Sequence, residues 1–235
     1  MKLSIKPTPN VYELDGAPVA IVLHTTLGSL EGAVDWLRTT PEERFRKTGV
    51  KSYSSAHAVI GRLGQVVELA SVDQGTWHAG SVSKPSQRAL DVLPKTILGA
   101  LKNPNKRTIG IEFASGYDID KDGVLESWEK LYTPAQIKAS VEYVLDRIEP
   151  QILEKWGVEI EFKDASVITH RDVTSYKPDL EIQRAMFLAE LNKQRKARAE
   201  NDGPIDPPPV KEIVLKAGQS LKVAEVGDGF IKLKL

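Results

Sequence analysis

The stretch Pro18–Thr25, PVAIVLHT, constrains the fold more than any other, because it is a mostly apolar run of strand length without alternation. Such a run fits a strand that is buried on both faces at the centre of a sheet. His24 stands near the end of this run and is followed by the polar pair Thr25 and Thr26. The pattern therefore predicts a central strand that carries a histidine to its C-terminal edge.

A second short apolar run leads to His170, and Asp179 follows nine residues later with Lys177 two residues before it. Imidazole and carboxylate groups are good zinc ligands, and the chain has no cysteine, so a zinc site must use these two groups. His24, His170 and Asp179 would leave a fourth position for water, as catalytic zinc sites do. The alternative is that each histidine is only a polar residue at a strand end.

The remaining patterns predict an α/β fold, with a central mixed sheet of about five or six strands flanked by helices. Residues 1–17 are expected to form an irregular arm. Besides Pro18–Thr25, the predicted strands are Ser55–Ile60, Gln65–Ala70, Thr108–Ala114 and Ser166–Thr169, the first two of these joined as a hairpin. The predicted helices are Gly32–Arg38, one that starts at Thr40, Arg88–Leu101, Thr133–Ile148 and Leu180–Lys196.

Composition limits the classes of protein to which the chain can belong. It has 235 residues, of which 41% are hydrophobic, and its formal net charge is zero, so binding of nucleic acid through bulk charge is not expected. No apolar run approaches the roughly 20 residues of a membrane span, so membrane insertion is not expected. The N-terminus lacks the apolar core of a signal peptide, so we expect synthesis in the cytoplasm without one.

The composition changes near residue 199, where AENDGPIDPPP is charged and rich in proline. We therefore predict a catalytic domain at 1–198, a Pro-rich linker at 199–209 and a small β-rich C-terminal appendage at 210–235. A piece of about 25 residues is too small to hold a core by itself. The appendage is expected to pack against the main domain, to mediate oligomerisation with another copy, or to bind a target such as the cell wall.

Five pieces of the sequence stand in an order that is typical of one enzyme family. They are IVLHTT, SAHAVIGRLGQVVELA, TWHAG, TIGIEFA and THRD with a K-x-D ending, and they span roughly Ala20 to Leu191. With them the chain resembles the zinc-dependent N-acetylmuramoyl-L-alanine amidases of the type-2 amidase family, which are related to peptidoglycan recognition proteins and phage amidase lysins. The resemblance implies hydrolysis of the amide between N-acetylmuramic acid and L-alanine in peptidoglycan.

The resemblance also implies a role for each site residue. His24, His170 and Asp179 would be the zinc ligands, Glu112 the general base, and Lys177 the cation that stabilises the oxyanion. Amide hydrolysis needs these parts, because the carbonyl must be polarised, a water deprotonated and a developing negative charge opposed. The alternatives are that Glu112 is a solvated residue on the outer face of a strand and that Lys177 is an ordinary surface lysine.

The remaining aromatic and histidine residues have expected roles as well. Trp77 and His78 are predicted to line the substrate cleft, where Trp77 would stack on a sugar or peptide and His78 would hydrogen-bond to it. The alternative for His78 is a packed histidine with satisfied hydrogen bonds. His57 lies between Ala56 and Ala58, where some family members carry an aromatic residue, and is predicted to be structural.

A separate acidic segment fits the calcium-binding pattern D-x-D-x-D-G-x5-E. A structural calcium ion is predicted there, although a strand precedes the segment where an EF-hand has a helix, and the alternative is an acidic turn. The predicted calcium ligands are Asp118, Asp120, Asp122, Val124 through its carbonyl, and Glu129.

Several biological settings fit these expectations. The linker and the β-rich appendage favour a phage endolysin that acts on the cell wall after its release. A cytosolic enzyme that recycles muropeptides also fits a chain without a signal peptide. The rival from another class is a peptidoglycan-binding protein without catalysis, but all the expected ligand and catalytic positions are occupied by suitable residues.

Overall fold

The computed structural model describes residues 1–26, 28–93, 103–115, 131–175, 177 and 181–201, together with the backbone of two strands at 222–227 and 230–234. The chain divides into two compact units, 1–194 and 195–235. The predicted calcium loop, Asp179 and most of the predicted linker lie outside the described residues. Within the described part, no helix combines the length and the apolar character that a membrane span requires.

Strands and helices are interspersed along the chain. They are β1 (Lys2–Ile5), β2 (Val11–Glu13), β3 (Ala20–Thr26), α1 (Leu30–Arg38), α2 (Pro41–Thr48), β4 (Ala58–Ile60), β5 (Gln65–Glu68), β6 (Gln74–Thr76), α3 (Gln87–Val92), β7 (Thr108–Ala114), α4 (Pro134–Tyr143), α5 (Glu149–Trp156), β8 (Val167–Thr169), α6 (His170–Val173), α7 (Glu181–Asn201), β9 (Lys222–Gly227) and β10 (Phe230–Lys234).

Six strands form one mixed sheet in the order β1-β5-β4-β7-β3-β8. Only β4 and β5 pair antiparallel in this sheet, as the predicted hairpin requires, and the other pairs are parallel. β2 and β6 pair separately, and β9 and β10 form an antiparallel hairpin in the second unit. Helices flank the six-stranded sheet, which confirms the predicted α/β fold.

Local sequence signals explain several of the observed strands and helix starts, which lie within about three residues of the predicted ones. Residues 20–23 of β3 are fully buried, as the unbroken apolar run indicates. Ser29 caps α1 by accepting a hydrogen bond from the Gly32 N–H. Thr40 and Glu43 form a reciprocal capping box at the start of α2, where Pro41 occupies the first turn.

Residues 1–17 do not form an irregular arm, and this expectation is wrong. β1 pairs with β5 at the edge of the sheet, and β2 pairs with β6. Both strands are short, and neither contains a fully buried residue. An edge strand of this kind lacks the apolar run by which a buried strand is recognised, so its pairing depends on a partner that is distant in sequence.

The two faces of the sheet differ, and the difference positions the candidate site. Successive side chains of a strand point to opposite faces, so Ile21 and Leu23 of β3 join the large core that contains residues of α4, α5 and α7. On the opposite face, Val22 packs in a smaller cluster with residues of α3, β8 and α6, and another small cluster lies under α1. His24 shares this second face, where the two small clusters leave room for polar groups.

Candidate functional site

β3 and β7 place His24 and Glu112 side by side. They are register partners in the parallel pair, so both side chains lie on the same face of neighbouring strands, which are about 4.8 Å apart. His24 is buried, whereas Glu112 is partly exposed. The structure thus brings the predicted base to the predicted ligand, on the face that the small clusters leave open.

A capped turn at the end of β8 positions His170. Thr169 and Asp172 form a reciprocal capping box, in which the Thr169 N–H donates to Asp172 Oδ2 at 2.8 Å. The other carboxylate oxygen accepts from Ser86 Oγ at 2.6 Å, and Arg88 forms a salt bridge with the same group. Asp172 was not among the predicted site residues, although the spacing Thr-x-x-acid is a recognised start signal for a helix.

The imidazole rings of His24 and His170 meet through their Nδ1 atoms, which are 3.0 Å apart. His170 Nε2 lies 3.0 Å from the carbonyl oxygen of Ala79. A carbonyl oxygen only accepts hydrogen bonds, so His170 Nε2 carries the ring proton, and Nδ1 of the neutral ring holds a lone pair.

A chain of hydrogen bonds fixes the proton of His24 in the same way. Thr108 Oγ1 donates its single hydrogen to the carbonyl of Pro104 at 2.8 Å, so it accepts from His78 Nε2 at 3.0 Å. His78 Nδ1 therefore has no proton and accepts from His24 Nε2 at 2.9 Å. This leaves a lone pair on His24 Nδ1, so the two Nδ1 atoms face each other without a hydrogen between them.

The electrostatic environment keeps both rings neutral. Burial, and then the positive charge of Lys177, lowers the pKa of His170 to about 4. Burial, with the neighbouring histidines and Lys177, holds the pKa of His24 well below its ordinary value. The positive charge of Lys177 therefore lowers the pKa of both rings.

Two facing lone pairs fit a shared cation. Two nitrogens bound to one tetrahedral zinc ion at 2.0–2.1 Å are about 3.3 Å apart, close to the observed separation of the two Nδ1 atoms. Each Nε2–H also has a protein acceptor, the arrangement that orients metal-binding histidines. Among the described residues, no group of three or more His, Asp or Glu side chains is placed to hold a metal. Asp179, the third predicted ligand, lies outside the described residues.

His78 lies beneath the pair and not at the surface. Its side chain is 7% exposed, and both ring nitrogens are hydrogen-bonded within the protein. The ring lies against Gly110, where an added Cβ would be 2.3 Å from His78 Cγ. The structure therefore favours the packed alternative for His78, and a contact between this ring and a substrate would need one of the two bonds to break.

His57 and Trp77 occupy contrasting environments beside the site. His57 Nδ1 accepts from the Gly110 N–H at 3.0 Å, and His57 Nε2 donates to the Gln74 carbonyl at 2.9 Å, as a structural histidine would. Trp77 is 38% exposed and lies against Tyr12, with ring centroids 4.7 Å apart. Trp77 thus has the exposed surface that its predicted stacking on a substrate would need.

Three further residues support the site and were not predicted. Asn105 Oδ1 accepts from the backbone N–H groups of His78 and Ala79 at 3.1 and 2.7 Å. Gln183 Nε2 donates to the carbonyl oxygen of His24 at 3.1 Å. Together with Thr108, they act across long separations along the chain, so no local pattern indicates them.

Comparison with solved structures finds several similar proteins. A selenomethionine derivative of AmpD is 19% identical, with a TM-score of 0.52 over 81% of this chain and 94% of that chain. Drosophila PGRP-LB in complex with tracheal cytotoxin is 12% identical, with a TM-score of 0.46 over 81% and 92% of the two chains. The amidase LysC from Clostridium intestinale is 16% identical, with a TM-score of 0.45 over 82% and 98%.

Among curated protein sequences, none matches the chain significantly. The sequence profile of the N-acetylmuramoyl-L-alanine amidase family, in contrast, matches residues 15–180, which include every β-strand of the six-stranded sheet except β1. This match covers well over half of the chain and contains His24, Glu112, His170, Lys177 and Asp179. The chain therefore belongs to the N-acetylmuramoyl-L-alanine amidase family.

Proposed function

We propose that the protein hydrolyses the amide bond between N-acetylmuramic acid and L-alanine in peptidoglycan, with a zinc ion held by His24, His170 and Asp179. The observation that carries the proposal is the 3.0 Å approach of the Nδ1 atoms of two buried rings, to which the partners of the two Nε2 atoms assign facing lone pairs. Left without a cation, the two lone pairs would repel each other. Membership of the amidase family supports the same reaction.

When bound, zinc supplies a Lewis acid that polarises the amide carbonyl and lowers the pKa of water. Glu112, beside His24 in the sheet, accepts a proton from the attacking water and returns it to the departing amine. Lys177 opposes the negative charge that develops on the carbonyl oxygen. Its action on both imidazole pKa values supports this role, because its charge must lie close to the site.

Trp77 is the side chain that we assign to substrate binding. Its exposed ring is held by Tyr12 and lies 5.8 Å from the ring of Tyr53, which is also exposed. Such a surface suits the apolar face of a sugar or a stem peptide. The structural neighbour PGRP-LB, in complex with tracheal cytotoxin, supports a muropeptide as the ligand class.

The biological setting is part of the proposal. We favour a phage endolysin, with the β-rich appendage binding the cell wall or mediating oligomerisation, over a cytosolic muropeptide-recycling amidase. The similar structures include an endolysin from a Thermus scotoductus bacteriophage as well as AmpD. A structural calcium ion at Asp118–Glu129 stays a prediction from the sequence.

Metal content and product analysis test the proposal together. We expect about one zinc ion per chain, and we expect digestion of cell walls to free N-terminal alanine without new reducing sugar ends. Glu112→Gln should retain zinc and lower turnover by about 10²–10⁴-fold, since it removes only the proton acceptor. Glu13→Gln, on the exposed residue of β2, is the matched control and should leave turnover unchanged.

Either of two results would contradict the assignment. Protein that binds no zinc at neutral pH would remove the metal site, and reducing ends among the products would indicate a glycosidase. Full turnover in Glu112→Gln would leave the family assignment intact but would exclude Glu112 as the base.

A further inference from the structure

We propose that Thr108 is a positioning residue whose hydroxyl sets the ring tautomer of His78 and, through it, exposes the Nδ1 lone pair of His24 to the metal. The inference rests on the proposed zinc site and adds a residue that touches neither metal nor substrate. Its basis is the hydrogen-bond chain that runs from Pro104 through Thr108 and His78 to His24.

The Thr108 hydroxyl has two hydrogen-bond partners, the carbonyl oxygen of Pro104 and His78 Nε2. Thr108 is fully buried at the start of β7, directly after the 3-10 turn Pro104–Arg107. Its hydroxyl donates back to Pro104, four residues earlier, as threonine commonly does at the end of a helical turn. Because a hydroxyl has one hydrogen, the oxygen can meet His78 Nε2 only as an acceptor.

The ring of His78 has no freedom to turn away from this acceptor. The backbone N–H of His78 donates to Asn105 Oδ1, which holds the backbone in place. The ring lies against Gly110 without room for a methyl group. The position of the ring is therefore set by neighbours other than Thr108. What Thr108 decides is which of the two ring nitrogens carries the proton.

Loss of the Thr108 hydroxyl would reverse the direction of the hydrogen bond between His78 and His24. Without the hydroxyl, His78 Nε2 loses its acceptor at 3.0 Å, and besides its contact with His24 the ring keeps only its hydrogen bond to the Thr108 backbone. His78 can then carry its proton on Nδ1 and donate to His24 Nε2, which moves the proton of His24 to its own Nδ1. That nitrogen would then donate to His170 Nδ1, 3.0 Å away, and an N–H···N hydrogen bond would occupy the place of the metal. The zinc site would be closed by a proton, with the three histidine side chains still in position.

The test compares Thr108→Val, which keeps the shape and removes the hydroxyl, with Thr108→Ser, which keeps the hydroxyl. Zinc affinity is measured by competition with a chromophoric chelator, and the ring tautomers by ¹⁵N NMR of the metal-free protein at neutral pH. We expect Thr108→Val to bind zinc about 10–100-fold more weakly, as loss of an outer hydrogen bond does elsewhere. Its spectrum should show a proton on His24 Nδ1, and Thr108→Ser should resemble the wild type.

The possible failures are distinguishable. Wild-type protein that binds no zinc would overturn the proposed function itself. Wild-type affinity in Thr108→Val, an equal loss in Thr108→Ser, or a wild-type spectrum with the His24 proton on Nδ1 would overturn the role of Thr108 and leave the proposed function standing. Thr108→Ala, which removes the hydroxyl without adding volume, gives the same readout if the valine variant does not fold.

Discussion

The four histidines of the chain form two regions that differ in the hydrogen-bond partners of their ring nitrogens. The rings of His57 and His78 lie beside each other, with centroids 6.1 Å apart, and all four of their nitrogens are hydrogen-bonded to protein donors or acceptors. His24 and His170 each give one nitrogen to the protein and direct the other at a shared point.

Burial alone does not separate the two regions, since all four side chains are less than 9% exposed. Two bonds to the protein leave His57 and His78 with no free lone pair, and so no capacity to bind a ligand without rearrangement. A shared metal can replace the contact between the Nδ1 atoms of His24 and His170 while both Nε2 atoms stay hydrogen-bonded. The partners of each ring nitrogen therefore distinguish the supporting histidines from the two histidines proposed to bind metal better than exposure does.

Removing one histidine from each region should give the largest difference in zinc affinity. His170→Ala deletes one of the two facing lone pairs, and we expect zinc affinity to fall by more than about 100-fold, beyond the loss typical of outer-shell changes. His57→Gln should change zinc affinity by less than about 3-fold, although it lies in the same part of the fold. Chelator competition on the two purified variants decides this, and equal losses would abolish the distinction.

A pH titration should show the supporting role of His57. Burial lowers the pKa of His57 to about 4, whereas the unfolded chain titrates near 6.5. The unfolded state binds more protons between these values, so this contribution to stability is complete above pH 6.5 and is lost as the pH falls towards 4. It amounts to about 3 kcal/mol.

Denaturant unfolding of metal-free protein between pH 4 and 7 measures this effect. His57→Gln should be less stable than the wild type at pH 7, and its stability should change less steeply with pH across the window. Parallel stability curves for the two proteins would show that His57 does not titrate as the structure implies.

The smallest expected effect comes from the close approach of His78 to the sheet. Gly110→Ala places a Cβ 2.3 Å from His78 Cγ, so the ring must move and its two hydrogen bonds must lengthen. We expect a loss of about 2 kcal/mol in unfolding free energy, typical of overpacking, with weaker zinc binding. Gly16→Ala is the control, because its new Cβ meets no atom closer than 3.4 Å. Equal stability in the two variants would show that the ring adapts freely.

Much of the fold follows from local signals. The unbroken apolar run of β3, the hairpin of β4 and β5, and the caps of α1 and α2 all depend on residues that are near one another along the chain. The sequence does not predict β1 and β2 for the opposite reason, since each is only four or three residues long and depends on a distant partner strand.

The candidate site divides in the same way. Residue type, spacing and family resemblance were enough to single out His24, Glu112, His170 and Lys177, because each stands in or beside a recognisable strand or motif. Only the tertiary structure decides which nitrogen of each ring carries a proton. It is also the tertiary structure that places His78 beneath the site. A tautomer is chosen by the partner that a ring nitrogen meets, and in this protein those partners come from Thr108 and Ala79, which are far along the chain from the rings of His24 and His170.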